Sequence, residues 1–205
     1  MVAYIHLTIL SIAKNIKISG DPVPCSKRGK TMSHQDQEVM TRSTDLPSRR
    51  IKVGLVSEGG GHYAQMQLLK EAFADFDYFY ITIDNLVTRD GVNTYLFKGI
   101  NLSSPIHYPW IPIHYFAVFI RAIRILRKEK PTVLVTTGGS EVAVPVCYAG
   151  KLLKIKLVFI EAPTRVERPS LSGRLLAPIS DRVFVRNPEL LKVYGKKAEF
   201  HGRAV

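Results

Sequence analysis

The stretch VGLVSEGGGHYAQM, residues 53–66, decides how this chain folds. An apolar run, Val53 to Val56, ends in Ser57 and Glu58. Three glycines follow, Gly59, Gly60 and Gly61, and then His62 opens a helix-like pattern. A short apolar run with no polar alternation reads as a strand buried on both faces, and such strands belong to parallel sheets covered by helices. Glycine permits the tight turn at the strand end. It also lets the first N–H groups of the next helix come close to a ligand.

The same alternation continues along the chain. DYFYITI is a second strand and NTYLFKG a short third one. IPIHYFAVFIRAIRILRKEK is a long helix begun at Pro112. TVLVTT and KLVFIEA are strands, with GGSEVAVPVCYAGKLL as a helix between them. RVFVRN and AEFHG are closing strands around the brief helix PELLKVYG. In the helix after the first strand, Ala64, Leu68, Leu69 and Phe73 are expected on one face. Repeated strand–helix–strand units imply an α/β fold, a Rossmann-like doubly wound parallel sheet, with ligands at the carboxyl ends of the strands.

Residues 14–50 are polar, with Pro22, Pro24 and Pro47 and no sustained period. Residues 1–50 are therefore expected to form a poorly ordered N-terminal extension with a short apolar segment, and residues 51–205 the folded Rossmann-like domain. The apolar segment MVAYIHLTILSIA contains His6, Thr8 and Ser11 and falls short of the roughly 20 apolar residues of a membrane span. It is read as a membrane-surface segment or as sequence upstream of a start at Met32 or Met40. The 205 residues suit one sizeable domain. A net charge of +12 implies an anionic partner: nucleic acid, a membrane surface or a phosphorylated ligand. Cys25 and Cys147 match no metal spacing and make no disulfide framework, which fits a reducing compartment.

Two glycine loops lie on one edge of the expected sheet. At the first, Gly59–Gly61 and the following helix start suit a phosphate or diphosphate. His62 is the side chain there able to exchange a proton near neutral pH. The positive end of the helix favours its neutral form, which serves as a base or a hydrogen-bonding group. The second loop, VTTGGSEVAVP, places Thr136, Thr137, Gly138, Gly139 and Ser140 at the next helix start. Ser140 is a candidate helix cap as well as a ligand contact. Glu161 ends another strand on this edge and reads either as a hydroxyl ligand or as the cap of the following turn. Glu58 is adjacent, and Arg165 and Arg168 lie in the loop beyond Glu161. The first loop also satisfies the dinucleotide fingerprint through Gly59, Gly61 and Ala64, with Asp84 placed after the second strand as the ribose-binding acid. A nicotinamide- or flavin-dependent oxidoreductase is therefore a rival reading. A non-catalytic membrane scaffold is a third.

The segment IHYPWIPIHYFAVFIRAIRILRKEK combines Tyr108, Trp110, Tyr115 and Phe116 with Arg121 and Arg124. Aromatic residues next to basic ones mark an interfacial helix on an anionic membrane surface. Phe116, Val118, Ile120, Ile123 and Leu126 are expected in the core, with YPWIPIHYF exposed to lipid or partner. No recognition helix or stacking platform for nucleic acid is present, so nucleic acid is not the expected partner.

SEGGGHYAQM, TTGGSEVAVPVCYAGKLL and the segment from KLVFIEA to AEFHG resemble, in that order, the Alg-fourteen oligosaccharide-biosynthesis proteins and their bacterial relatives of the PssD type. The resemblance covers about residues 51–205. That family is similar to the N-terminal half of GT-B glycosyltransferases such as MurG. The resemblance implies an acceptor-side subunit on the cytoplasmic face of a membrane, plasma or endoplasmic reticulum. It implies a lipid-linked sugar pyrophosphate as ligand and a separate catalytic subunit that binds the UDP-sugar, N-acetylglucosamine in the eukaryotic case. No cofactor and no metal are implied. Carried over, Gly59–Gly61 and His62 match the family's glycine–histidine loop, Gly138 and Gly139 its second loop, and Glu161 its strand-end acid. Members often carry an apolar anchor directly before the first strand; here the polar residues 14–50 intervene.

Overall fold

A computed structural model describes residues 1–14, 51–83, 92–100 and 109–202. Its elements run in the order α1 (Val2–Lys14), β1 (Lys52–Val56), α2 (Gly61–Leu68), a 3-10 turn (Lys70–Phe73), β2 (Asp77–Ile83), β3 (Thr94–Phe97) and α3 (Ile111–Glu129). Then come β4 (Val133–Thr136), α4 (Ala143–Leu152), β5 (Lys156–Ile160), α5 (Leu171–Leu176), β6 (Arg182–Val185), α6 (Leu190–Tyr194), a second 3-10 turn (Gly195–Lys197) and β7 (Ala198–Phe200).

The seven strands form one sheet in the order β3-β2-β1-β4-β5-β6-β7, and every neighbouring pair is parallel. The chain winds outward one way from β1 to β3. It then crosses back through α3 to β4 and winds the other way. The reversal lies between β1 and β4, where Val56 sits beside Thr136. All strands share one direction, so the loops after β1, β4, β5 and β6 emerge on the same edge.

Two cores cover the two faces. One joins Val118, Ala122 and Leu126 of α3, Val146 and Cys147 of α4, Leu176 and Leu190 with Phe79, Leu134, Phe159 and Val183 of the sheet. The other joins Met66, Leu69 and Phe73 with Leu55, Tyr80, Val135, Val158 and Phe184. Alternate strand residues feed opposite cores, as the period of two requires. Right-handed crossovers place α3 to α6 on the first face and leave α2 and its 3-10 turn over β1 and β2 on the second.

That uneven cover explains a departure from the expected organisation. The first residues of the N-terminal extension form a helix, and Ile5 and Ile9 are fully buried in the second core. α1 packs on the first 3-10 turn and on β4. His6 Nδ1 lies 3.2 Å from the Ala72 carbonyl, and its ring stacks on Phe76. Tyr4 stacks on His201 at 3.8 Å between ring centres. The apolar segment thus covers sheet surface that the crossovers leave bare. The rest of the extension, with Cys25, Met32 and Met40, lies outside the described residues.

The helix after β1 also differs. It stops at Leu68 and tightens into the 3-10 turn, which shifts the buried positions to Gln65, Met66, Leu69, Ala72 and Phe73. Ala64 and Leu68 are exposed. Within α3, Val118, Ala122, Ile125 and Leu126 are buried, whereas Phe116 is 67% exposed. Its helical position follows the outward line of Trp110 and Ile113, three residues apart. α3 ends at Lys130, whose left-handed φ of 49° precedes Pro131.

Candidate functional site

The loops at the carboxyl edge are tied into one body by side chains that cross between them. His62 Nδ1 lies 2.8 Å from the Thr137 carbonyl oxygen. In return the Thr137 hydroxyl donates to the His62 carbonyl at 2.8 Å. A carbonyl only accepts, so Nδ1 carries a proton; in the neutral tautomer this leaves the lone pair on Nε2. The His62 ring is therefore fixed by the neighbouring loop through Nδ1.

The two glycine loops are not equivalent. At the first, Gly60 has a φ of 66° and Gly61 begins α2. A side chain at either position would meet nothing within 4 Å. Both residues are exposed, and no side chain caps the helix start. This is an open cradle of backbone N–H groups at the positive end of a helix. At the second, Gly138 and Gly139 are buried, with φ of 96° and 112°. A Cβ on Gly138 would lie 2.8 Å from Ser172 Oγ, and one on Gly139 would collide with the Glu58 carboxylate. Here glycine is required by contact with the protein itself.

Glu58 fills that second helix start. Its Oε1 accepts the Val142 N–H at 2.8 Å. The cap expected of Ser140 is supplied instead by a residue of the first loop, because Glu58 reaches across the glycines of the second. Burial pushes the Glu58 carboxyl above its ordinary value; the Val142 N–H acts the other way, and the charge of Glu141 adds to the rise. Ser140 contributes its backbone carbonyl, which accepts the Tyr115 hydroxyl from α3. Glu141 accepts the Ile100 N–H at 2.9 Å and so ties the segment after β3 to this loop.

Glu161 is 1% exposed. One carboxylate oxygen accepts the Ala162 N–H at 2.8 Å. The other accepts the Ser170 N–H at 3.1 Å and the Tyr194 hydroxyl of α6. Its backbone carbonyl accepts the buried Gln65 amide at 3.0 Å. Of the two expected roles, these contacts match the cap of the following turn: both carboxylate oxygens accept backbone N–H groups there. Burial, and then the Glu161 carboxylate, push the Tyr194 hydroxyl upward.

The loop from Ala162 to Pro169 exposes Arg165 and Arg168 on this edge. It is held by the buried Asn187, whose amide donates to the Arg165 carbonyl at 2.5 Å, and by Ser170, which caps α5 through the Gly173 N–H at 2.9 Å. Arg186 and Asn187, directly after β6, are both buried. Burial holds the Arg186 guanidinium below its usual value. Neither residue was singled out in the sequence, although polar residues directly after an apolar strand are the signal that marked Ser57 and Glu58.

α3 presents Trp110, Ile113 and Phe116 to solvent, at 60%, 59% and 67% exposure. Arg124 is exposed as well, while the Arg121 guanidinium lies 4.4 Å from the centre of the Phe97 ring. Tyr115 faces inward to Ser140. Tyr108 and Asp84 lie outside the described residues. Among the described residues no helix is long and apolar enough to cross a membrane.

Sheet order, direction and edge loops define a doubly wound α/β unit of the kind found in half of a GT-B protein. The solved structure of MurG from Acinetobacter baumannii superposes with a TM-score of 0.57 at 16% identity, over 76% of this chain and 46% of that one. Residues 97–204, just over half of the chain, match the family described as "Oligosaccharide biosynthesis protein Alg14 like". The chain belongs to the Alg14-like family. It is 32% identical over 123 residues to the UDP-N-acetylglucosamine transferase subunit ALG14 of Yarrowia lipolytica, covering 56% of each protein. It is 26% identical over 196 residues to the human protein of that name, covering 82% of this chain and 89% of that protein. Against the fungal relatives it spans about half their length, 56% in Y. lipolytica and 43% in Candida albicans.

Proposed function

We propose that this chain is the acceptor-side subunit of a glycosyltransferase that moves N-acetylglucosamine from its UDP conjugate to a lipid-linked sugar pyrophosphate, with a separate chain supplying the donor site. The observation that carries this reading is the open, uncapped start of α2 beside an imidazole fixed through Nδ1. Two phosphates fit a helix start of this kind, since backbone N–H groups and the dipole both favour negative charge. The sugar next to the diphosphate then brings a hydroxyl within reach of His62. In the transfer, Nε2 takes the hydroxyl proton as that oxygen bonds to the anomeric carbon, and the bond from that carbon to the UDP oxygen breaks. The pair of electrons leaves with UDP, on the partner's side of the cleft.

Membership of the Alg14-like family and likeness to UDP-N-acetylglucosamine transferase subunits support this reading. The exposed line Trp110–Ile113–Phe116 with nearby arginines supports attachment of α3 to an anionic membrane, on the cytoplasmic face where nucleotide sugars are available. The chain co-expressed with its donor-binding partner is expected to transfer N-acetylglucosamine to a polyprenyl-pyrophosphate sugar, and neither chain alone is expected to do so. Transfer by this chain alone would overturn the division of labour. Vesicles containing phosphatidylserine should retain the wild type and release a Trp110→Ser, Phe116→Ser double variant; equal retention removes the membrane role from α3.

A further inference from the structure

Glu58 puts a carboxylate on the edge where an anionic ligand is expected. It does not lie there as a solvated side chain. It lies across Gly139, close enough that a Cβ there would sit 2.6 Å from its Cγ and 2.7 Å from its Oε2. It also takes the Val142 N–H at the start of α4. Two helix starts with glycine-rich approaches thus lie on one edge of the sheet, their loops tied together through His62 and Thr137. The start of α2 is bare, and the start of α4 is filled by a negative charge belonging to the chain itself. A helix start of this kind favours any anion, so the occupant decides which anion can enter.

We infer that Glu58 is a specificity-determining residue: its carboxylate closes the start of α4 to phosphate and confines the anionic part of the ligand to the start of α2. This rests on the reading of the cleft as the acceptor site. The diphosphate sits at one helix start, and what lies against the second loop must tolerate or hydrogen-bond a carboxylate. A sugar bearing hydroxyl groups does so, because hydroxyls donate to carboxylate oxygens. A further phosphate or an acidic sugar does not. The cleft therefore selects, in order along the ligand, a diphosphate and then a neutral, hydroxyl-rich ring. The burial that raises the Glu58 carboxyl agrees with this arrangement, since desolvated and shifted groups gather where ligands bind.

Inorganic pyrophosphate is the probe, titrated calorimetrically into the full chain. Three proteins are compared: wild type, Glu58→Gln, which keeps the shape and loses the charge, and Glu58→Ala, which loses both. Thermal melts confirm folding, and Glu58→Asp serves as the conservative variant should Glu58→Ala fail to fold. Wild type is expected to bind one equivalent. Glu58→Gln is expected to bind it about tenfold more tightly, with steeper salt dependence, because a like charge near the anion is removed. Glu58→Ala is expected to take up a second equivalent, and Glu58→Asp to behave as wild type. Affinity and stoichiometry unchanged in Glu58→Gln and Glu58→Ala overturn the role of Glu58 while leaving the α2 cradle standing. No binding by any variant overturns both. Binding by the Gln and Ala variants alone supports Glu58 and removes the α2 cradle.

Discussion

The amino and carboxyl edges of this sheet use the same residue types in opposite ways. At the amino edge charges meet partners. Lys52 Nζ lies 2.7 Å from Glu129, and Asp181 accepts from Lys151 at 2.9 Å, Lys156 at 3.0 Å and the Leu157 N–H at 2.9 Å. Contact with Glu129 holds the Lys52 ammonium above its ordinary value. Burial works against the Glu129 and Asp181 carboxyls, but their partners outweigh it and hold both below the usual range. At the carboxyl edge Glu58, Tyr115, Arg186 and Tyr194 all move the other way, toward their neutral forms, with burial as the first cause. One edge is arranged for stability. The other keeps polar groups under cover at some cost, which is how sites that bind and react differ from scaffolds.

The sharpest way to break the contrast is His62→Ala in the assembled pair. The turnover number should fall by about 10²–10⁴, the usual contribution of a positioned proton acceptor, while stability falls only by about 1 kcal/mol, the cost of the lost bond to Thr137. An equal loss of stability and activity would make His62 part of the scaffold. Gly173→Ala comes next. A Cβ there would collide with the Tyr194 hydroxyl and lie 2.5 Å from Glu161 Oε2. Overpacking of this kind should cost about 2–3 kcal/mol by chemical denaturation.

Asp181→Asn tests the amino edge and should cost about 1–2 kcal/mol, a modest figure because both lysines are partly exposed. The folded Asp181 carboxyl sits below its unfolded value of about 3.9. Its contribution is therefore complete above that value and is lost as pH falls through the lower folded one. The variant's melting temperature should accordingly fall less than that of the wild type below about pH 4. Glu58→Gln should have the smallest effect on stability, and of opposite sign. A carboxyl raised in the folded state disfavours folding while ionised, and stability recovers as pH falls toward the folded value. At neutral pH the variant should melt at the same temperature or slightly higher. A clear drop would place Glu58 with the amino-edge ties.

How much of this was legible beforehand follows from the range of each signal. The parallel sheet and its loop-bearing edge were readable because Val53–Val56, Val133–Val135 and Leu157–Ile160 carry unbroken apolar runs, which only two-sided burial explains. His62 stands out in the sequence because it is alone among glycines at a helix start. Glu58 and Tyr194 were not assigned their roles. The first caps a helix 84 positions away, and the second reaches Glu161 33 positions away. Local pattern carries no information about such pairs. α1 was set apart from the domain for a related reason: its apolar residues signal burial but not what they are buried against.

Ile5 and Ile9 give that helix a consequence for the state of the sheet's second face. A chain trimmed of α1 would leave Val135, Val158 and Phe184 with less cover. Its removal turns a closed surface into an adhesive one. Binding of a hydrophobic dye would tell the full and the trimmed chain apart.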